Sequence, residues 1–209
     1  MPPPPTLKIT EIFSSIQGEG LRQGEPTLFI RLTGCNLQCD FCDTQYAWLE
    51  GEEMSMEDIL EKVEGVREDF PSQWVCLTGG EPLFQDIKKL VEELKKKEYK
   101  IQVETNGTIY QNLDVDWYSV SPKPPDYFFQ PEYPKKAKEV KLVVSKELNL
   151  DVIQRIRNEF PDTIPVLLQP ESNQKWSKEK GERLLRKSAH QGLKNIKVTL
   201  QLHKVYGIP

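Results

Sequence analysis

Short apolar runs alternate along this chain with longer stretches whose apolar positions recur at helical spacing. The short runs read as buried strands at residues 27–32, 74–77, 101–104, 117–120, 140–144, 165–168 and 196–200. A further strand near residues 7–13 precedes them. The amphipathic stretches read as helices at residues 55–68, 87–97, 150–159 and 178–191. Strands that alternate with helices imply parallel pairing through helical crossovers. Residues 104–140 break the rhythm, because they are rich in proline and carry no clear helical pattern. At 209 residues the chain is also shorter than a closed eight-fold β/α barrel, which takes about 250. The expected fold is therefore α/β: an incomplete, partial TIM-like barrel of parallel strands with some helices missing. It is read as one domain over residues 1–209, with a short Pro-rich N-terminal extension at residues 1–6. Ligands in such folds gather at the C-terminal ends of the strands.

Composition narrows the function classes. A net charge of −4, with lysines such as Lys95, Lys96 and Lys97 set beside Glu92, Glu93 and Glu98, describes a solvated helix face. It does not describe a nucleic-acid surface. No apolar run has the length of a membrane span, and MPPPPTLKIT lacks the form of a signal peptide, so a cytoplasmic protein without a membrane or nucleic-acid partner is expected.

Three of the four cysteines fall within one short segment, GCNLQCDFCDT, just after the strand that ends near Leu32. Cys35, Cys39 and Cys42 have the spacing C-x-x-x-C-x-x-C. Three thiolates can hold three irons of a cubane and leave the fourth open to a ligand. The competing reading is structural zinc with Cys76 or a histidine as fourth ligand. Such sites usually use two separated ligand pairs, and Cys76 sits in an apolar run where a core thiol is expected. The motif Thr78-Gly79-Gly80-Glu81-Pro82 ends the next strand, where glycines let the backbone approach a ligand. By itself it is an ordinary turn. His190 reads as a surface residue, Trp48, Trp74 and Trp117 as packing residues, and Asn106-Gly107 as a turn. Glu104 is compatible with a site contact or with a plain strand end.

Together these motifs resemble the radical S-adenosylmethionine (SAM) superfamily. A narrower ordered set covers nearly the whole chain: FSSIQGEG at residues 13–20, Arg31, the cysteine segment, Asp43-Thr44, TGGEP, ETNG at 104–107, Ser121-Pro122-Lys123, Leu168-Gln169-Pro170 and the tail HKVYGIP. It is similar to the 7-carboxy-7-deazaguanine synthase family. The resemblance implies a carbon–nitrogen lyase that converts 6-carboxy-5,6,7,8-tetrahydropterin to 7-carboxy-7-deazaguanine and ammonia, in the biosynthesis of queuosine-type 7-deazapurines. A deoxyadenosyl radical derived from SAM would abstract the hydrogen at C6.

The resemblance also implies a 4Fe–4S cluster on Cys35, Cys39 and Cys42, and Mg²⁺ on Thr44. SAM would contact Phe41, Asp43, Gly79, Gly80, Glu81, Ser121, Lys123 and Gln169. Substrate would contact Ile16, Gln17, Gly18, Glu19, Arg31, Thr78, His203 and the carboxylate of Pro209. It further implies a homodimer and an electron donor such as flavodoxin. Arg31 offers a fork suited to a substrate carboxylate, and Gln17 and Glu19 offer acceptors. A radical activase that attacks a protein glycine is the alternative within the superfamily.

Overall fold

The computed structural model describes residues 6–208. These pack as two compact units, the first comprising residues 6–16, 25–105 and 109–117, the second residues 17–24, 106–108 and 118–208.

In the first unit, β1 (Thr6–Ile16) pairs antiparallel with both β2 (Pro26–Leu32) and β3 (Glu52–Ser55). Strands β2, β4 (Trp74–Gly79) and β5 (Lys100–Thr105) are parallel neighbours. Helix α1 (Met56–Asp69) packs against β1, β2 and β3, and α2 (Lys88–Lys96) against β5. Ser55 starts α1 through a reciprocal cap: its hydroxyl accepts from the Asp58 amide, and the Asp58 carboxylate accepts from the Ser55 amide. Ile59 and Val63 then face inward, each fully buried and each contributing about 1.5–3 kcal/mol.

In the second unit, β6 (Trp117–Val120), β7 (Ala137–Val144), β8 (Val166–Pro170) and β9 (Ile196–Val198) pair parallel in that order. A single turn, α3 (Tyr133–Lys136), precedes β7. Helix α4 (Leu150–Glu159) links β7 to β8, and α5 (Lys175–His190) links β8 to β9. Asn149 caps α4 by accepting from the Val152 amide at 3.0 Å. Small residues on α5 let it lie close to β7: a methyl group at Gly181 would already touch Val144 Cγ2 at 3.5 Å. A short α6 (Leu202–Tyr206) follows β9.

The expected α/β fold of parallel strands with missing helices is present, since β5 and β6 are joined without a helix and β6 is followed only by α3. Several boundaries differ from the sequence reading. The first strand reaches Ile16, and Thr6 already pairs with Ser55, so the extension stops short of residue 6. Strand β3 was not expected, because four residues with only Met54 buried carry no usable alternation. The last strand ends at Val198 rather than residue 200, α5 begins at Lys175, and α6 is new. Pro2 to Pro5 lie outside the described residues.

The two units differ in how polar and apolar positions fall along their strands. In the first, Ile30, Leu77 and Val103 form a buried row across β2, β4 and β5, while the adjacent row is Phe29, Cys76 and Gln102. In the second, Val140 stands beside Val166 and Leu142 beside Leu168, and the alternate positions hold Ser119, Glu139, Lys141 and Gln169. All four of these polar residues are buried. Parallel strands buried on both faces are usually apolar throughout. A buried polar face here marks where chemistry is expected.

Candidate functional site

The first unit assembles its chemistry where β2 and β4 end. The segment after β2 is closed by the Gly34 amide donating to the Ala47 carbonyl at 2.9 Å. Within it lie Cys35, Cys39 and Cys42, all partly exposed and none in a disulfide. The Cys42 amide donates to the Cys39 carbonyl at 3.0 Å, and the Leu37 amide points at Cys35 Sγ at 3.4 Å. Thr44 Oγ1 lies 3.5 Å from Cys42 Sγ, which puts a hard oxygen beside the thiols. Burial pushes the Cys35 thiol up to about 11, the Leu37 amide opposes this, and Glu81 and the other two thiols add to it. A bound iron cluster reverses that balance, since a coordinating thiol is deprotonated outright.

Cys76 takes no part in this loop. It is fully buried in β4, opposite Phe29 and Gln102. Among the described residues no three His, Cys, Asp or Glu side chains converge on a single-ion position. A cubane asks for something else, three thiolates on three separate irons.

The TGGEP turn is fused to the cysteine segment by its backbone. The Gly80 amide donates to the Leu32 carbonyl at 3.2 Å, and the Glu81 amide to the Gly34 carbonyl at 2.8 Å. Gly79 has φ +150°, and a Cβ there would lie 2.1 Å from the Leu32 carbonyl oxygen. A Cβ at Gly80 would lie 2.3 Å from the Gly34 oxygen and 2.9 Å from Cys35 Cβ. The approach is available to glycine alone. Glu81 is completely buried, and its Oε1 accepts from the Leu83 amide at 3.1 Å and from Thr105 Oγ1 at 2.8 Å. Its side chain therefore holds the turn. Phe41 is partly exposed and Asp43 exposed on the same segment.

Arg31 stands in a cross-strand row with Glu11 on one side and Thr78 on the other. Its Nε donates to Glu11 Oε1 at 2.5 Å, and Tyr46 Oη donates to the same oxygen at 2.8 Å. The guanidinium lies 5.7 Å from the Phe13 ring centre and 5.9 Å from that of Tyr46. Held by its Nε, it keeps two terminal nitrogens with no hydrogen-bond partner among the described residues. Glu11 and Tyr46 were not foreseen, because only the fold brings them to Arg31. Burial, opposed by Arg31 and reinforced by Glu11, raises the Tyr46 phenol. Glu104 lies on the same face of β5 as Gln102, whose amide donates to Glu104 Oε1 at 3.1 Å.

The second unit gathers a different set. The segment 17–24 leaves β1 and is closed by the Gly24 amide donating to the Gln17 carbonyl at 2.8 Å. Gln17 Oε1 accepts from the Glu19 amide at 3.1 Å. Gly18 lies flat on His203, where a Cβ would fall 2.1 Å from Nδ1, and the Leu202 amide donates to the Gly18 carbonyl at 2.8 Å. The Glu19 carboxylate accepts from Lys141 Nζ at 2.6 Å and from Gln201 Nε2 at 2.8 Å. Burial would raise this carboxyl, yet Lys141, Gln201 and Gln169 together hold it far below the usual carboxylate range. Gln169 Oε1 is buried with no partner among the described residues, an acceptor that a ligand N–H or O–H would satisfy. Lys123 Nζ lies 2.5 Å from Ser121 Oγ.

The structure thus groups Gln17, Gly18, Glu19, Gln169 and His203, and it groups the three thiols with Thr44, Gly79, Gly80 and Glu81. Ile16 ends β1, half-buried, opposite Pro26. Asn106 keeps its turn role, accepting from the Thr108 amide at 2.9 Å. Pro209 lies outside the described residues. Sequence reasoning missed Lys141, Glu139 and Gln201. The first two had a signal: AKEVKLVV places charges at alternate positions of a strand expected to be buried.

Comparison with known proteins gives the same direction. The profile of the Radical SAM superfamily matches residues 29–176. The 7-carboxy-7-deazaguanine synthase of Aquifex aeolicus is 34% identical, over 97% of this chain and 94% of that one. That of Thermoplasma acidophilum is 33% identical, over 96% and 98%. The crystal structure of QueE from Escherichia coli superposes with a TM-score of 0.77 at 25% identity, covering 95% of both chains.

Proposed function

Because the chain belongs to the 7-carboxy-7-deazaguanine synthase family of the radical SAM superfamily, we propose that it converts 6-carboxy-5,6,7,8-tetrahydropterin to 7-carboxy-7-deazaguanine and ammonia. The observation that carries this reading is the extent of the relationship: it spans the cysteine segment and the Gln17–Glu19 segment alike. Relatives named as this synthase over nearly the whole chain favour this reading over a protein-glycine activase. The conversion balances by loss of ammonia alone and needs no outside oxidant.

The two groups of residues divide the work. Cys35, Cys39 and Cys42 would hold a 4Fe–4S cluster with one iron open, and the Gly79–Gly80 backbone would lie along the methionine part of SAM. The donor set fits, with three thiols on one closed segment beside a cradle that a single Cβ would fill. When bound, cluster and SAM supply a carbon radical able to take hydrogen from an unactivated position. The protein's own part is to hold geometry and exclude water. Phe41, Asp43, Ser121, Lys123 and Gln169 would complete SAM binding, and the buried, unpartnered Gln169 oxygen supports a donor there.

Arg31 would take the substrate carboxylate with its two terminal nitrogens, with Thr78 beside it in the same row. Glu19 is ionised and would accept N–H groups of the aminopyrimidone edge, with Gln17, Ile16, Gly18 and His203 around it and the Pro209 carboxylate as a further acceptor. Mg²⁺ would bind Thr44 Oγ1, with substrate oxygens and water completing a hard-oxygen shell. A homodimer, a flavodoxin-like reductant and a cytoplasmic location complete the proposal. No helix among the described residues is long and apolar enough to cross a membrane.

The test is anaerobic. Reconstituted protein is given dithionite, SAM and the carboxytetrahydropterin, and the deazaguanine is measured by mass spectrometry. Product and ammonia in equal amounts are expected. An intact cluster with no product rejects the assignment.

A further inference from the structure

Glu19 does not stand alone on its segment. Two residues of β7, on the same face of the strand, hold that segment from below. Glu139 Oε2 accepts from the Leu21 amide at 2.6 Å, and its carboxylate occupies the space a side chain at Gly20 would need. Lys141 Nζ meets Glu19 Oε2 at 2.6 Å, with the lysine side chain 5% exposed and the glutamate 18%. Glu19 Oε1 is held in turn by Gln201. A lysine this deeply buried carries a desolvation cost that only a well-placed partner offsets. A substrate-facing carboxylate between two fixed donors keeps lone pairs for a ligand and cannot swing away.

From this geometry we infer that Lys141 is a positioning residue for the heterocycle: it keeps Glu19 ionised and aimed, so that the carboxylate accepts N–H groups of an amidine-like ring edge. The inference rests on the synthase reading, which places the pterin's aminopyrimidone edge against Glu19. Lys141 touches no reacting atom in this account. Its removal should damage substrate capture more than turnover, because a neutral or tilted glutamate binds ground state and transition state equally poorly.

The experiment compares Lys141→Met, Lys141→Gln and Lys141→Arg with wild type, each reconstituted anaerobically. Iron content and far-ultraviolet circular dichroism serve as the folding control. Steady-state product formation then gives KM and kcat separately. Lys141→Met should raise KM about tenfold or more while kcat falls by less than about threefold. Lys141→Gln, which keeps a donor on a side chain one atom shorter but no charge, should behave in the same way. It carries the test if the methionine variant does not fold. Lys141→Arg should restore most of the loss.

A second arm uses the pair. The double variant Lys141→Met/Glu19→Gln should have a KM no worse than Glu19→Gln alone, because the lysine acts only through the glutamate. Wild-type turnover with an unmoved KM in both uncharged lysine variants overturns the inference and leaves the synthase reading intact. So do multiplicative losses in the double variant. Wild-type protein that carries its cluster and makes no product overturns the synthase reading, and this inference with it.

Discussion

The two groups of site residues are built by opposite means. The thiol segment and the TGGEP turn are joined through main-chain hydrogen bonds and glycines, with Gly80 lying against Gly34 and Cys35. The Gln17–Gly24 segment is held by side chains that arrive from far away in sequence, 122 residues away for Lys141 and 182 for Gln201. A backbone-built site tolerates no added atoms, but its motif is local. A side-chain-built site tolerates small shape changes, but it depends on charge balance. The contrast suits the proposed roles: a cluster and SAM need a fixed cradle, whereas a polar ring needs matched donors and acceptors.

Four substitutions probe this contrast, the most severe first. Cys39→Ala should abolish stable cluster binding and all reductive cleavage of SAM. Iron analysis and deoxyadenosine assay check it, and full iron content would refute the ligand set. Glu19→Gln should destabilise the protein in denaturant unfolding, by up to about 3–5 kcal/mol, because it removes a charge partner of the buried Lys141. It should also change the acid limb. The folded Glu19 carboxyl lies below its ordinary 4.5, so the ion pair contributes fully above about pH 4.5 and fades as pH falls below that value. Stability measured from pH 6 to pH 3 should therefore fall less steeply in Glu19→Gln than in wild type.

Gly80→Ala should cost about 1–3 kcal/mol, since its methyl meets backbone that can yield only by moving the cysteine segment. Reconstituted iron should fall with it, while circular dichroism stays native. The mildest change is Gly65→Ala in α1, where nothing lies within 4 Å of the new methyl. It should stabilise by about 0.5–1 kcal/mol with no effect on iron content. Equal outcomes at Gly65 and Gly80 would mean that the close approach at Gly80 has no consequence.

What could be read from sequence follows the same division. The thiols and the glycine turn could be picked out because their residues are contiguous and their spacing is fixed by one loop, whereas Thr44 was marked only by the family resemblance. The main strands and helices were legible because one row of apolar positions repeats along each. Strand β3 and helix α6 were not, since each is too short to show a period. Glu11, Tyr46 and Gln201 were silent for another reason. Each matters only through a partner that pairing of strands or closure of a loop brings near, as β1 brings Glu11 beside Arg31. The alternating charges of AKEVKLVV were the visible trace of such a contact. A lysine in the middle of a parallel strand needs a buried partner, and the partner's identity is a property of the fold.

The long reach of Gln201 back to Glu19 also bears on how the protein is made. Chains emerge from the ribosome N-terminus first, at roughly 5–20 residues per second. Every residue of the thiol segment and the glycine turn has been synthesised by Pro82, and the first unit's last residue is Trp117. The Glu19 carboxylate waits for Lys141, and then for Gln201, 182 residues after it. A nascent chain can therefore present thiols to an iron–sulfur donor long before it can grip a heterocycle, so a chain stalled or clipped short of Gln201 would carry its metal without a properly set place for its substrate.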